Sequence, residues 1–467
     1  MSKERRSWRA LFPPDDAPTR TSRELALAGV IVAVALVVPI ARHAGAGVLD
    51  TLWAEDGRVF LQEALALAPH RALARTYAGY LHLGPRLAAE LATLAPLGAA
   101  SELLVLAANA LTALSALAVF VSSRTHLASP WIRAVLALAV PLAPPAGVEI
   151  LNSVANAQWP LLFASFWLLL WRPATTTGVV SASLLLVTTA LSAGLGILLL
   201  PLAVLRLLAG PRGRDQLPPW LFCSAVALQL VATQTPALPP SSANPSTVVA
   251  VFAQRVGIVA LAGHRVGGTL WARYGWRWMA TAAVMLVAVV VVGVVFQGSR
   301  RRWLVLLCAG YAFAFFAASA VLRGGAPAML WPWGMWHLAG ARYSYVPVLL
   351  VYSLVAAVLD ARPLTRGGAS KHLPAGAQLG TLVVLLVAVV GDFRVWNDRT
   401  SGPSWSDTVH QARDACGGNG GEVTFAIAPD NWTVTIPCRE LHSNPGRAGT
   451  VTPTVALRPP PSPSQET

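Results

Sequence analysis

Long apolar blocks separated by short polar stretches run along almost the whole chain, beginning with residues 25–41, which carry no charged side chain. A helix crossing a bilayer core about 30 Å thick needs roughly 20 residues at about 1.5 Å each. Blocks of near that length recur at 102–121, 131–147, 159–171, 178–192, 194–209, 219–233, 278–297, 303–322, 344–360 and 377–393. In lipid the backbone must satisfy its own hydrogen bonds, so the pattern predicts an all-α polytopic membrane protein of about eleven transmembrane helices.

Composition agrees with this reading: 55% of the residues are hydrophobic and only 12% charged, and the mean hydropathy is +0.56. The net charge of +14 would suggest nucleic acid in a soluble protein. Here the basic residues sit in short tracts between apolar blocks: before residue 24, at Arg124, at Arg172, around Arg206 and Arg214, at Arg300 to Arg302, and at Arg362 to Lys371. That distribution is an orientation signal, and no nucleic-acid partner is expected. Eleven crossings put every tract on the cytoplasmic side.

The expected organisation is a cytoplasmic basic N-terminus at 1–24, a transmembrane domain at 25–393, and an extracytoplasmic tail at 394–467 that is disordered after about residue 455. Residues 25–41 read as a retained signal anchor. The first outer loop covers 42–101. In the loop at 235–276, the apolar stretch 248–262 is read as a second interfacial helix or a failed span, because counting it as a full crossing would put Arg300 to Arg302 outside.

The outer segments hold the candidate chemistry. Glu55 and Asp56 lie side by side soon after the first block. One is a candidate general base for an acceptor hydroxyl, with the other orienting it or helping to hold a divalent cation, Mg or Mn. The alternative is a solvated loop pair or a charge at a helix N-terminus. Residues 77–97 read as an interfacial helix, with Tyr77 and Tyr80 at headgroup level and His82 as a proton shuttle, a sugar or phosphate contact, or a structural histidine. Glu149, Asn152, Asn156, Gln158 and Trp159 form a short loop suited to holding a sugar, or an ordinary polar loop. Late in the chain, Arg342, followed by Tyr343, is the first candidate for a lipid phosphate and Arg323 the second; snorkelling arginines in an aromatic belt are the alternative. Cys416 and Cys438, the two cysteines outside apolar blocks, are expected to form a disulfide in an outside tail, or else remain as two thiols. The chain lacks a phosphate-binding glycine loop, an HExxH motif and a metal-type cysteine cluster, which argues against nucleotide-driven pumping.

Four stretches, WAEDGRVF, YAGYLHLGPRLAAEL, NSVANAQWPLL and GARYSYVP, carry a resemblance over roughly residues 25–440. In order and placement the chain resembles the multi-spanning glycosyltransferases of the GT-C superfamily, in an uncharacterised bacterial branch. The resemblance implies a bacterial plasma-membrane enzyme that takes a sugar from a polyprenyl-phosphate-linked donor. It would pass the sugar, with inversion, to a glycan, glycolipid or protein acceptor on the outer face. It also implies Asp56 or Glu55 as the base and Arg342 on the phosphate. The tail is shorter than in many members, and the acidic motif is Glu-Asp instead of the more familiar Asp-Asp or Asp-Glu. A transporter or lipid flippase is the competing reading, with broken helices or midplane ionisable groups as its signature; a noncatalytic partner in envelope assembly is a third.

Overall fold

The computed structural model describes residues 8–15, 21–43, 47–210, 213–233, 244–322, 340–360, 383, 386–394, 397–416 and 421–442. Arg323, the tryptophan-rich stretch after it, the first part of the block at 377–393 and the chain end beyond 442 lie outside the described residues. The structure is predominantly helical, and six helices are long and apolar enough to cross a membrane. Five of them fall on expected blocks: Ser22–Arg42, Leu97–Thr125, Trp276–Phe296, Ser299–Leu322 and Arg342–Leu359. Pro130–Leu142, Gln158–Leu170, Thr176–Ala190 and Gly194–Ala209 are apolar but shorter, at 10–17 residues.

The sixth long helix, Pro245–Tyr274, lies where an interfacial helix or failed span was expected. It is two helical pieces meeting at Gly263, whose backbone adopts φ 69° and ψ −171°. That conformation is essentially restricted to glycine. Asp392 caps the second piece by accepting the backbone N–H groups of His264 and Arg265. A Cβ on Gly263 would lie 2.5 Å from Asp392 Oδ2 and 2.8 Å from the Ala388 carbonyl. Gly263→Ala is therefore expected to destabilise the protein by about 1–3 kcal/mol from backbone strain alone. Thermal unfolding in detergent checks this against Gly29→Ala, where nothing lies within 4 Å. Equal midpoints for the two variants would contradict it.

The basic tracts at Arg124, Arg172, Arg206 and Arg300 to Arg302 gather at one end of the bundle. Asp15 binds Arg124 and, at 2.8 Å, the indole N–H of Trp171. Arg172 pairs with Asp215 at 2.7 Å, and Arg206 donates to the carbonyl of Asp215 at 2.7 Å. Arg300 donates to the Thr125 carbonyl at 3.2 Å, while Arg301 pairs with Asp360 at 2.9 Å.

At the other end, the first loop and the segment from Asn397 to His442 share a second hydrophobic core. Phe60, Leu61 and Leu104 pack there with Trp405, Val434 and Ile436. A disulfide joins Cys416 to Cys438. It ties the Trp405–Cys416 helix to the end of an antiparallel hairpin, β3 (Glu422–Ile427) and β4 (Trp432–Pro437). Alternation explains the hairpin: Val434 and Ile436 point into the core, while Thr424 and Thr435 meet on the opposite face at 3.0 Å.

Among the described residues the predominantly helical fold carries two small sheets: β3–β4, whose first strand falls on the strand-like stretch Val423 to Ala428, and a second that corrects the start of the expected interfacial helix at 77–97. Thr76–Tyr77 (β1) and Tyr80–Leu81 (β2) pair across Ala78 and Gly79, whose φ values are 49° and 88°. Two successive positive φ angles make a tight hairpin turn and exclude a helix. The helix begins only at Leu83 and runs to Ala92. Leu87 and Leu91 on it, with Leu94 just beyond, are exposed along one side, as an interfacial element requires.

Candidate active site

Glu55 and Asp56 open the helical turn that packs between the first loop and the C-terminal hairpin. Ala54 donates its N–H to the Ala428 carbonyl at 2.5 Å, and Ala428 returns a bond to the Leu52 carbonyl at 3.2 Å. Ala54 itself has φ 30°, a strained value for a residue with a Cβ. Gly57 lets the turn approach this closely, since a Cβ there would meet Leu52 and Ile427 side-chain carbons at 2.7 Å.

Successive residues in a helix point about 100° apart, and the two carboxylates diverge accordingly. Glu55 is half-buried and lines a cavity of about 460 Å³. Asp56 turns away and is 2% exposed. It accepts from the backbone N–H groups of Ala155 at 2.9 Å and Val154 at 3.2 Å, and from the Ser153 hydroxyl at 3.2 Å. Arg399 lies 3.7 Å from it. Arg399 also donates to the Asn152 carbonyl at 2.6 Å and stacks 5.1 Å from the Trp53 ring centroid.

Burial pushes the Asp56 carboxyl up to about 7, against the opposing pull of Arg399 and of the Ala155 N–H. The folded state therefore holds this proton more tightly than the unfolded chain, whose value is near 3.8. Stability from this source is fully present below about pH 4 and is lost as pH rises through about 7, by at most about 1.4 kcal/mol per pH unit. Unfolding free energies are expected to fall toward this slope between about pH 4.5 and 7 and to level off above it, and Asp56→Asn is expected to flatten the fall. An unchanged slope in that variant would assign the dependence to another group.

The rest of the cavity wall comes from six other parts of the chain. His82 stacks on Tyr80 at 4.1 Å, and its Nδ1–H points to the Tyr80 carbonyl at 3.1 Å. Tyr80 donates its hydroxyl proton to Gln158 Oε1 at 3.3 Å. The Gln229 amide holds both backbone groups of Leu81 at 3.2 Å, fixing the β1–β2 hairpin over the helix ends. Asn156, Gln158 and Trp159 line one side, and Arg342 and Tyr343 line another. Arg342 lies 3.7 Å from Glu149 and donates to the Tyr343 hydroxyl at 3.4 Å. Burial raises the Glu149 pKa, with Arg342 pulling it back. Leu195, Ile197, Val226, Leu230 and Leu322 give the cavity an apolar side between helix ends.

The structure thus brings Glu55, Tyr80, His82, Asn156, Arg342 and Tyr343 around one space. Asn152 stands apart from it. Its φ is 63°, and its side-chain amide donates to the Pro39 carbonyl at 2.8 Å, joining the loop to the end of the first helix. Arg399 and Gln229 were not anticipated from sequence. Gln229 carried a signal, a lone amide near the end of an apolar block; Arg399, an isolated arginine in the tail, carried none.

The donor set does not suit a divalent cation shared by the two carboxylates. Both oxygens of Asp56 are engaged by N–H and O–H donors, and among the described residues no three histidine, cysteine, aspartate or glutamate side chains cluster. Compared with protein-family models, with curated proteins and with solved structures, the chain finds no match.

Proposed function

We propose that this protein is a membrane glycosyltransferase that moves a sugar from a polyprenyl-phosphate donor to a cell-envelope acceptor, with inversion at the anomeric carbon. The observation that carries the reading is the mixed character of one cavity: a carboxylate, an arginine, amides and stacked aromatic rings face an apolar side formed by helix ends. A lipid-linked sugar has the same division, with a polar head, an anionic link and an apolar tail. The cavity volume, about 460 Å³, falls in the ordinary range for ligand sites. The resemblance to GT-C enzymes in the four sequence stretches points the same way.

In this mechanism Glu55, not Asp56, is the base. It removes the proton from an acceptor hydroxyl, whose oxygen attacks the anomeric carbon as the bond from that carbon to the phosphate oxygen breaks. The departing lipid phosphate keeps the electron pair and its charge is met by Arg342. Asp56 holds the 153–155 loop, and through it the adjacent Asn156 wall, in register with Glu55. No step is assigned to a metal. The basic end of the bundle is assigned to the cytoplasm by the positive-inside rule, and the disulfide-bearing end to the outside of a bacterial plasma membrane.

A transport reading has one observation in its favour, the helix broken at Gly263 and capped by buried Asp392. Reconstituted protein supplied with radiolabelled polyprenyl-phosphate sugars and membrane acceptors separates the two. Transfer giving a product of inverted configuration supports the enzyme. Movement of labelled lipid across the bilayer without any transfer supports the transporter and removes the catalytic assignment.

A further inference from the structure

Trp159 begins the Gln158–Leu170 helix and is 5% exposed, with its indole N–H buried and without a hydrogen-bond partner among the described residues. An unpaired buried donor of this kind costs about 1–3 kcal/mol, and among the described residues Trp159 carries the one such group on the cavity wall, where a ligand oxygen would offset the cost. Tyr343 stands edge-on to the Trp159 ring at 5.6 Å, and the Arg342 guanidinium lies 5.2 Å from the Tyr343 ring centroid. The three side chains form one corner of the cavity, and Tyr343 orients both neighbours.

We infer that the Trp159 indole N–H is a second donor beside Arg342 for the phosphate oxygens of a lipid phosphate. The inference rests on the reading of Arg342 as the phosphate-binding group. Indole nitrogen donates and never accepts, so it is matched to an oxygen that needs only donors. A phosphate oxygen meets that condition and also satisfies the neighbouring cation. The Arg342 guanidinium is now paired only loosely with Glu149, at 3.7 Å, and Glu149 Oε2 has no hydrogen-bond partner among the described residues. A phosphate would therefore give both the arginine and the indole a closer partner.

Binding of farnesyl phosphate and of farnesol, measured by calorimetry on the detergent-solubilised full chain, tests this. Trp159→Phe keeps the ring and removes the donor; it is expected to weaken farnesyl phosphate binding roughly ten-fold and leave farnesol binding unchanged. Trp159→His, which keeps a ring N–H, is expected to recover part of the loss. Equal weakening of both ligands, or an unrecovered loss in the histidine variant, would mark Trp159 as a packing residue and overturn the inference. Undiminished phosphate binding in Trp159→Phe together with loss in Arg342→Gln would overturn it while leaving the phosphate site standing. Undiminished binding in both variants would remove the phosphate site as well.

Discussion

Replacing Glu55 by glutamine is expected to lower the proposed glycosyl transfer by about 10²–10⁴-fold, the range supplied by a positioned general base, while leaving the thermal midpoint unchanged. Glu55 is half-buried at the cavity edge, so the amide fits the same space without burying a new group. Asp56→Asn is expected to behave differently. Its nitrogen would meet donors where the carboxylate now accepts from Val154 or Ala155, so folding yield and unfolding midpoint should shift along with activity. Loss of activity in the Asp56 variant at wild-type stability, with full activity in the Glu55 variant, would reverse the roles assigned to the two residues.

The second large effect is expected at Arg42, which ends the first helix and is wholly buried. Its guanidinium donates to the carbonyls of Pro141 at 2.7 Å, Ala143 at 3.1 Å, Asp392 at 3.0 Å and Phe393 at 3.1 Å. One side chain thus closes three separate segments at the site end of the bundle. Arg42→Ala would strand those carbonyls away from water, at a cost on the order of 4 kcal/mol. The variant should accumulate poorly and unfold at markedly lower temperature in detergent, with Arg42→Lys intermediate because an ammonium can reach fewer of the acceptors. A wild-type midpoint for Arg42→Ala would show that the carbonyls find other donors.

Hydrophobic patterning made the helical blocks legible because it acts over every residue of a block; the positions of Ser22–Arg42, Trp276–Phe296 and Ser299–Leu322 follow it closely. It could not show the break at Gly263, where a single glycine φ and a cap from Asp392 decide the path. Nor could it show the β1–β2 hairpin, since Ala78 gives no outward sign of a positive φ. Residue chemistry picked out Glu55, His82, Asn156 and Arg342, which do meet around one cavity. It could not separate Glu55 from Asp56. That distinction comes from partners contributed by residues 153–155 and Arg399, far away in the chain. Asn152, chemically the twin of Asn156, is drawn instead to Pro39 by its left-handed backbone.

The bond from Ala54 to Ala428 also sets an order of events during biosynthesis. Glu55 leaves the ribosome well before the main-chain partner that fixes the residue before it, and before Arg399 that pairs with the residue after it. A nascent chain, or one cut short before the β3–β4 hairpin, would hold the six long apolar helices found among the described residues and still lack an aligned carboxylate. The geometry at residues 54–56 is thereby tied to the segment after residue 397 having been made and delivered to the same side as the first loop.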